Sequence, residues 1–544
     1  MKKIFKILII IFLVFLFFGC DEIQNENGAK ALKNQVCFHP LPEGVEEFQE
    51  AEVYIGNNRL PLYSVLVNTS QVWTPDDYKR KASGVGYFEL DGKVEVTVKL
   101  PYDINYKSKL RPLSAGIIPV ANLEERSLTF EISSTGNYVL EINGDISRTI
   151  HFFVSEITKE KFKPDTEKYL YFEPGIHTKD NNSLIDQNNQ ITLTSNTTVF
   201  LAPGAVVRGR FYARDAEEIK ILGKGIISGS TFERNARTGS ATIPIDFNNC
   251  RNVHLSDFSI LDPAGWAVNF YFIENSKIEN LKIITSRSNG DGISIQSCKG
   301  ITVDGCFVRS WDDGLVVKNY PRWENHSVHG ETKNIVFSNC TLWTDLAQAM
   351  EIGYETVGKV MENIKFSNIT VLHALHKPVI SIHNGNNAEI KNVLWERITV
   401  EDASMGSGDA HGNDELIDFR VLYSENWSSQ HTITSLGSIE DVVVKDVLIL
   451  HGKKAPKITI SGTYDKRDEY RTNHYVQNIS LKNITYRNTI LDENNIQLTI
   501  GNYVRNVTVV HDGKSLGAEF IFSKTPQELA LYGDELIVGT SIYQ

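Results

Sequence analysis

The chain carries two different hydrophobic rhythms. Over residues 35–160 short runs alternate apolar and polar positions: AEVYIG, LYSVLVN, KVEVTVKL, SLTFEIS, NYVLEIN and TIHFFVS, separated by turn residues such as STGN and INGD. Period-two alternation places every second side chain on one face, and frequent turns bring neighbouring strands back antiparallel. The pattern predicts a small antiparallel β-sandwich over 35–160. No cluster of His, Cys or carboxylates stands out in it, so it reads as a supporting or carbohydrate-contacting domain, with support favoured.

From about residue 165 a repeat replaces this pattern. NVHLSDFSIL (252–261), KIENLKII (277–284), GITVDGCFV (300–308), NIVFSNCTL (334–342), NIKFSNITV (363–371), NVLWERITV (392–400), DVVVKDVLIL (441–450), NISLKNITY (478–486) and NVTVV (506–510) share the form Asn-Ile-x-Val/Phe-x-Asn-x-x-Val. Their starts are 25, 23, 34, 29, 29, 49, 37 and 28 residues apart. A short strand, a polar corner and a second short strand at such spacing cannot bury an apolar face alone, but stacked coils form one continuous core. The expected fold is all-β: a right-handed parallel β-helix over 161–544 behind the N-terminal β-sandwich. No amphipathic helical stretch recurs between the strands, which disfavours alternating βαβ units.

Two residue types support stacking. Asn at a recurrent corner tolerates the left-handed conformation, and its amide can bond the same residue one coil away. Cys306 and Cys340 fall six residues past consecutive repeat starts, and Cys250 and Cys298 two before theirs. Small buryable residues at matching places read as core. The irregular steps carry polar, aromatic insertions, KNYPRWENHSVHGE and EDASMGSGDAHGNDELIDFRVLYSENWSSQH, which suit walls of a binding cleft. The final 25 residues or so depart from the repeat and suit a cap.

At 544 residues the chain exceeds one ordinary core. Its net charge of −12 is spread along the chain. That argues against nucleic acid or an anionic membrane as partner, and mildly against a polyanionic substrate. The N-terminal MKK, the apolar IFKILIIIFLVFLFF and then Gly19-Cys20 form a targeting segment. A small residue before Cys at the end of such a core resembles a bacterial lipoprotein signal, against the alternative of a plain membrane anchor. The resemblance implies a lipoprotein signal segment (1–20) cleaved before Cys20, lipidation of Cys20 on its sulfur and attachment to the outer membrane. Asp21 and Glu22 suit display outward from the cell surface, with a periplasmic face as the alternative. Residues 21–34 are polar and read as a tether. Five cysteines remain, an odd number without CxxC, which favours neither a disulfide framework nor a zinc site.

Candidate chemistry lies in SNGDGISIQSCKGITVDGCFVRSWDDGLVVK. Asp291 and Asp312 are 21 residues apart, close to one short coil, and Asp313 adjoins Asp312. Neighbouring coils run about 4.8 Å apart, so three carboxylates would share one patch. Asp-Gly is by itself a turn signal. Two such corners in register instead suit a cluster relieved by a shared proton, with calcium as the other way to relieve it.

The order DPAGWAVNFYFIENS, NGDG, SWDDGLVVK resembles the β-helical polygalacturonases and their relatives over roughly residues 195–400. Trp266, Asn289 with Asp291, and Asp312-Asp313 with Lys318 occupy the matching places. Two departures matter. Gly-His-Gly of those enzymes is replaced by Ala347-Gln348-Ala349, and their Arg-Ile-Lys, which binds a substrate carboxylate, by Ser381-Ile382-His383. The β-helical dextranases fit these places better: WDDGL, MEIGY and an N-terminal sandwich are similar to theirs. The resemblance implies an inverting glycoside hydrolase acting on a polysaccharide, expected to be a neutral, dextran-like α-glucan. By it, Asp312 is the general acid, and Asp291 and Asp313 hold the nucleophilic water.

Further substrate contacts are expected from Asn289, Trp311, Lys318, Tyr320, Trp323, Gln348, Glu351 and His383. Packing is the alternative for Trp311, and pairing with the Asp cluster for Lys318. His373, His376 and His383 fit no common zinc spacing. The reading therefore requires no metal and no cofactor, and takes the protein as a monomer. Rival readings are a polygalacturonase whose basic residues come from insertions, such as Arg322 or Arg420, a calcium-dependent polysaccharide lyase, and a non-catalytic glycan-binding surface protein.

Overall fold

The computed structural model describes residues 20–23, 34–72, 79–158, 168–234, 242–322, 325, 328–423, 435–452, 456–465, 467, 471–491, 497–512 and 514–515. Two facing sheets form the N-terminal region. One runs Cys20–Ile23, Asn34–Phe38, Arg80–Asp91, Asp145–Ser155, Gly136–Ile142 and Lys109–Arg111, with Leu62–Asn68 also paired to Arg80–Asp91. The other runs Asn58–Leu60, Glu52–Ile55, Val94–Lys99, Ser127–Ile132 and Val120–Asn122. The alternation builds the core as expected: Val94, Val96 and Val98 are buried while Glu95 and Lys99 face water. The sheets differ from the purely antiparallel sandwich in one pairing, because Asp145–Ser155 lies parallel to Arg80–Asp91. These strands are distant in sequence, so no hairpin turn dictates their direction.

Cys20–Ile23 pairs antiparallel with Asn34–Phe38, which brings the start of the expected tether into the sheet edge. Residues 1–19, 24–33, the side chain of Cys20 and the expected C-terminal cap beyond residue 515 lie outside the described residues. Among the described residues no helix is long and apolar enough to cross a membrane.

From Lys168 onward the chain winds into a parallel β-helix. One 11-stranded wall stacks parallel strands from Gln190–Leu193 to Gln497–Ile500. The remaining wall is a 21-stranded sheet. Inward residues of every coil, such as Ile293, Leu315, Met350, Ile380 and Ile417, join one apolar column. The corner asparagines behave as the repeat predicts. Asn334, Asn363 and Asn392 have φ of 59°, 58° and 54°, and the Asn363 amide donates to Asn334 Oδ1 at 3.0 Å. Cys250, Cys298, Cys306 and Cys340 are free and buried in the stack.

The sandwich packs on the helix through a second apolar cluster. Tyr63, Val85, Tyr87 and Phe153 meet Val206, Leu261, Phe307, Trp343 and Leu372. A buried ionic network runs beside it. Arg111 pairs with Glu141 and, at 2.7 Å, with Glu401. His373 bonds Glu141 across the interface and Asp402 at 2.8 Å within the helix. Such groups are taken out of water together, so losing one partner leaves a buried charge unmatched.

Candidate active site

The outward face of the 11-stranded wall carries the site, because alternate residues of each buried strand point away from the core. Register fixes the neighbours. Ile293 pairs with Leu315, and Leu315 with Met350. Carried back two residues, this sets Asp291 beside Asp313 and Asp313 beside Gln348. The backbone bonds agree: Gly292 N–H donates to the Asp313 carbonyl at 2.8 Å, and Asp312 N–H to the Gly290 carbonyl at 3.2 Å. The coil is thus 22 residues long here. Asp313, rather than Asp312, stacks on Asp291, and Asp312 stands on Gly290.

The glycines serve this close stacking. A Cβ on Gly292 would lie 2.3 Å from a Val308 methyl and 2.5 Å from the Gly314 carbonyl oxygen. A Cβ on Gly314 would lie 2.7 Å from the Ala349 oxygen. Neither glycine has positive φ, so the Asp-Gly pairs mark close backbone approach, not a left-handed turn.

Asp291, Asp312 and Asp313 are all buried. Lys318 Nζ lies 3.5 Å from Asp291 Oδ2 and 3.3 Å from Glu355 Oε2. It also stands 5.4 Å from the centre of the Trp266 ring. Asp313 N–H donates to Asp312 Oδ1 at 3.1 Å, and Gln348 N–H to Asp313 Oδ1 at 3.3 Å. Ser294 Oγ is 3.5 Å from Asp291. Burial, then the charge of Asp291, holds the Asp312 carboxyl well above its ordinary range. Burial, then Asp312 and Asp291, does the same to Asp313. Burial also raises Asp291, but the Lys318 ammonium opposes it. Lys318 stays charged because Glu355 and Asp291 outweigh its own desolvation. One corner therefore holds carboxyls of both kinds: a pair that retains a proton, and one matched to a fixed cation.

Beyond Gln348 the same face is a charge ladder. Ser381 Oγ donates to Glu351. His383 Nδ1 lies 2.9 Å from Glu351 and its Nε2 3.2 Å from Asp418. Arg420 donates to Asp418 at 2.6 Å and to Glu415 at 3.1 Å. Burial disfavours the imidazolium, yet Glu351 and Asp418 hold His383 up to about 9. Tyr354 stacks on the His383 ring with centroids 4.8 Å apart.

The structure thus brings together Asp291, Asp312, Asp313, Lys318, the backbone of Gln348 and, by way of Glu355, Tyr320. Glu351 and His383 lie on the following coils of the same face. Asn289 sits at the exposed rim and accepts a hydrogen bond from Arg234. Trp311, expected as a sugar contact with packing as the alternative, is 1% exposed, which leaves no open ring face in this structure. Trp323 lies outside the described residues. His373 and His376 face the sandwich network and the Ser407 carbonyl, apart from His383. Arg322 stacks on Phe272 and donates to Asn249, away from the aspartates. Sequence reasoning missed Ser294, Glu355 and Asp418. Ser294 and Asp418 occupy outward places in alternating strands, a legible signal; Glu355 meets Lys318 only through a break in register that alternation does not show.

Residues 177–447 match the model of Glycosyl hydrolases family 28. Over those residues the β-helix carries a glycosyl hydrolase family 28 domain. It sits among polygalacturonase- and dextranase-like β-helical proteins. A "Probable polygalacturonase" of Vitis vinifera is 21% identical to the chain over 228 residues, covering 38% of this chain and 46% of that relative. The chain thus spans about half the length of the curated relative it matches. Among solved structures, Dex49A from Penicillium minioluteum superposes with a TM-score of 0.53 at 14% identity, over 86% of this chain and 98% of that one. It shares the fold of the sandwich and helix together. The family 28 exopolygalacturonase of Yersinia enterocolitica has a TM-score of 0.41 at 11% identity, over 89% of this chain and 97% of that one.

Proposed function

We propose that the protein hydrolyses O-glycosidic bonds in a polysaccharide by inverting acid–base catalysis. The observation that carries this reading is the divided carboxylate corner. Asp312, kept protonated by burial and by Asp291, donates to the leaving oxygen. Asp291, matched to Lys318, and Asp313 orient the water that attacks the anomeric carbon. The bond to the leaving oxygen breaks as the new C–O bond forms. The water's proton passes to the carboxylate base, and Asp312 ends ionised.

The substrate we propose is a neutral, dextran-like α-glucan. Among the described residues, the cations on the strand face beside the corner already meet carboxylates: Lys318 meets Asp291 and Glu355, His383 meets Glu351 and Asp418, and Arg420 meets Asp418 and Glu415. Two uronate-binding positions of the resembled enzymes hold Ser381 and His383, both engaged by Glu351. A uronate would meet an acidic surface there, whereas sugar hydroxyls can donate to these oxygens. A polygalacturonase is the second reading. It is favoured by the family 28 match, the "Probable polygalacturonase" likeness and a cation at the rim, Arg234, beside Asn289. By the N-terminal sequence, the chain is proposed to act as a lipid-anchored protein of the outer membrane, on its surface or its periplasmic side.

Reducing-end release by the chain lacking residues 1–20 tests this on dextran, pullulan, arabinan, galactan and polygalacturonate, with proton NMR of the first-formed anomer. Cleavage of a neutral glycan with inversion supports the reading. Cleavage of polygalacturonate alone moves the second reading to the front, and retention of configuration excludes the mechanism.

A further inference from the structure

One residue beside the corner is delivered by an irregular backbone. Val317 pairs with Ile352, but Asn319 pairs with Thr356. Lys318 is therefore opposed by three residues, Gly353, Tyr354 and Glu355. On the other side Gly353 and Tyr354 pair regularly with His383 and Asn384. The bulge is thus borne only toward the coil of the aspartates. Gly353 takes φ 131°, and a Cβ there would lie 2.1 Å from the His383 carbonyl oxygen, so the bulge requires glycine. Bulges of this kind re-aim a side chain. Here the side chain is Glu355, buried, 3.3 Å from Lys318 and hydrogen-bonded by the Tyr320 hydroxyl.

We infer that Glu355 is a positioning residue that sets the proton balance of the catalytic corner by holding Lys318 as a shared counter-ion. This rests on the acid–base reading above. Lys318 stands between two carboxylates, and with Glu355 in place only part of its field reaches Asp291. The charged or titratable groups facing it are Asp291 on the preceding coil, Asp312, Asp313 and Tyr320 on its own, and Glu355 on the next, with the Trp266 ring on one side and Glu351 acting on Asp313. Without the Glu355 charge, Lys318 acts on the aspartates undivided, and a direct like-charge repulsion on Asp291 and Asp312 is lost. Both effects favour ionised aspartates. The corner would then surrender its proton at lower pH and disarm the general acid.

Glu355→Gln, which keeps shape and removes charge, tests this against Glu355→Asp, which keeps charge and alters shape. The infrared band of protonated carboxyl groups is titrated in the whole chain lacking residues 1–20, without substrate, and its Asp312-dependent part is identified with Asp312→Asn. The midpoint is expected to fall by about one pH unit or more in Glu355→Gln, and by less in Glu355→Asp. The alkaline limb of kcat should move the same way on the glycan the wild type cleaves, with KM little changed. An unmoved midpoint in Glu355→Gln overturns the inference. If Glu355→Gln does not fold, Glu355→Ala, which also removes the charge, takes its place, and an unmoved midpoint there overturns the inference. Absence of any Asp312-dependent band above the ordinary carboxylate range overturns instead the acid–base reading beneath it.

Discussion

Asp313 stacks directly on Asp291, coil on coil, through the backbone bond from Gly292 N–H to the Asp313 carbonyl at 2.8 Å. The stacking fixes three carboxylates in one buried place, where they repel each other whenever more than one is ionised. A parallel β-helix can maintain such a cluster because each coil is bonded along its length to the next.

Asp312→Asn should lower kcat by about 10²–10⁴-fold, the usual weight of a general acid, while leaving glycan binding within a few fold. Single-turnover rates beside equilibrium binding separate the two. Unchanged binding with lost turnover also sets this chain apart from a non-catalytic glycan-binding protein.

The same substitution should stabilise the fold. Asp312 and Asp313 have folded-state pKa values above the ordinary 3.8, so the native state holds a proton that the unfolded chain releases. Their contribution is most favourable below that ordinary value and is lost as pH rises through the folded-state range. Thermal unfolding of Asp312→Asn should therefore show a higher Tm than wild type near neutral pH, and a smaller difference near pH 4.

Much of this was legible in the sequence. The repeat gave the solenoid, and the paired Asp-Gly corners gave the cluster. The one-residue error of register, Asp312 for Asp313 over Asp291, arose because corner length cannot be read from strand patterns. For Trp311 the sequence left sugar contact and packing open; its 1% exposure follows from the folded surroundings and cannot be read from its place beside the acid. Glu355 was invisible because unbroken register would have set Gly353 against Lys318 and Glu355 two residues further along the strand; only the bulge after Ile352 brings it to Lys318. The parallel pairing in the sandwich joins distant strands and leaves no local turn signal.

Sandwich and helix should unfold together, and their union should depend on pH. His373 lies between Glu141 of the sandwich and Asp402 of the helix; burial opposes its charge, but both carboxylates raise its pKa above the ordinary 6.5. Its stabilisation is full below that value and is lost as pH rises through the raised one. His373→Gln should flatten this fall in the Tm profile. Glu141→Gln should cost about 3–5 kcal/mol by urea denaturation, because it unmatches buried Arg111 and His373.

Gly292→Ala should destabilise by about 1–3 kcal/mol, since its methyl must displace a Val308 methyl or separate two bonded coils. Urea midpoints check this. An equal wild-type midpoint would mean that the corner is looser than its backbone contacts.

The most direct test of the central claim is reducing-end release from dextran and from polygalacturonate by the wild type and Asp312→Asn, side by side at the wild-type pH optimum. The predicted result is release from dextran alone, abolished by the substitution. Release from polygalacturonate alone, or release from dextran that survives Asp312→Asn, would contradict it.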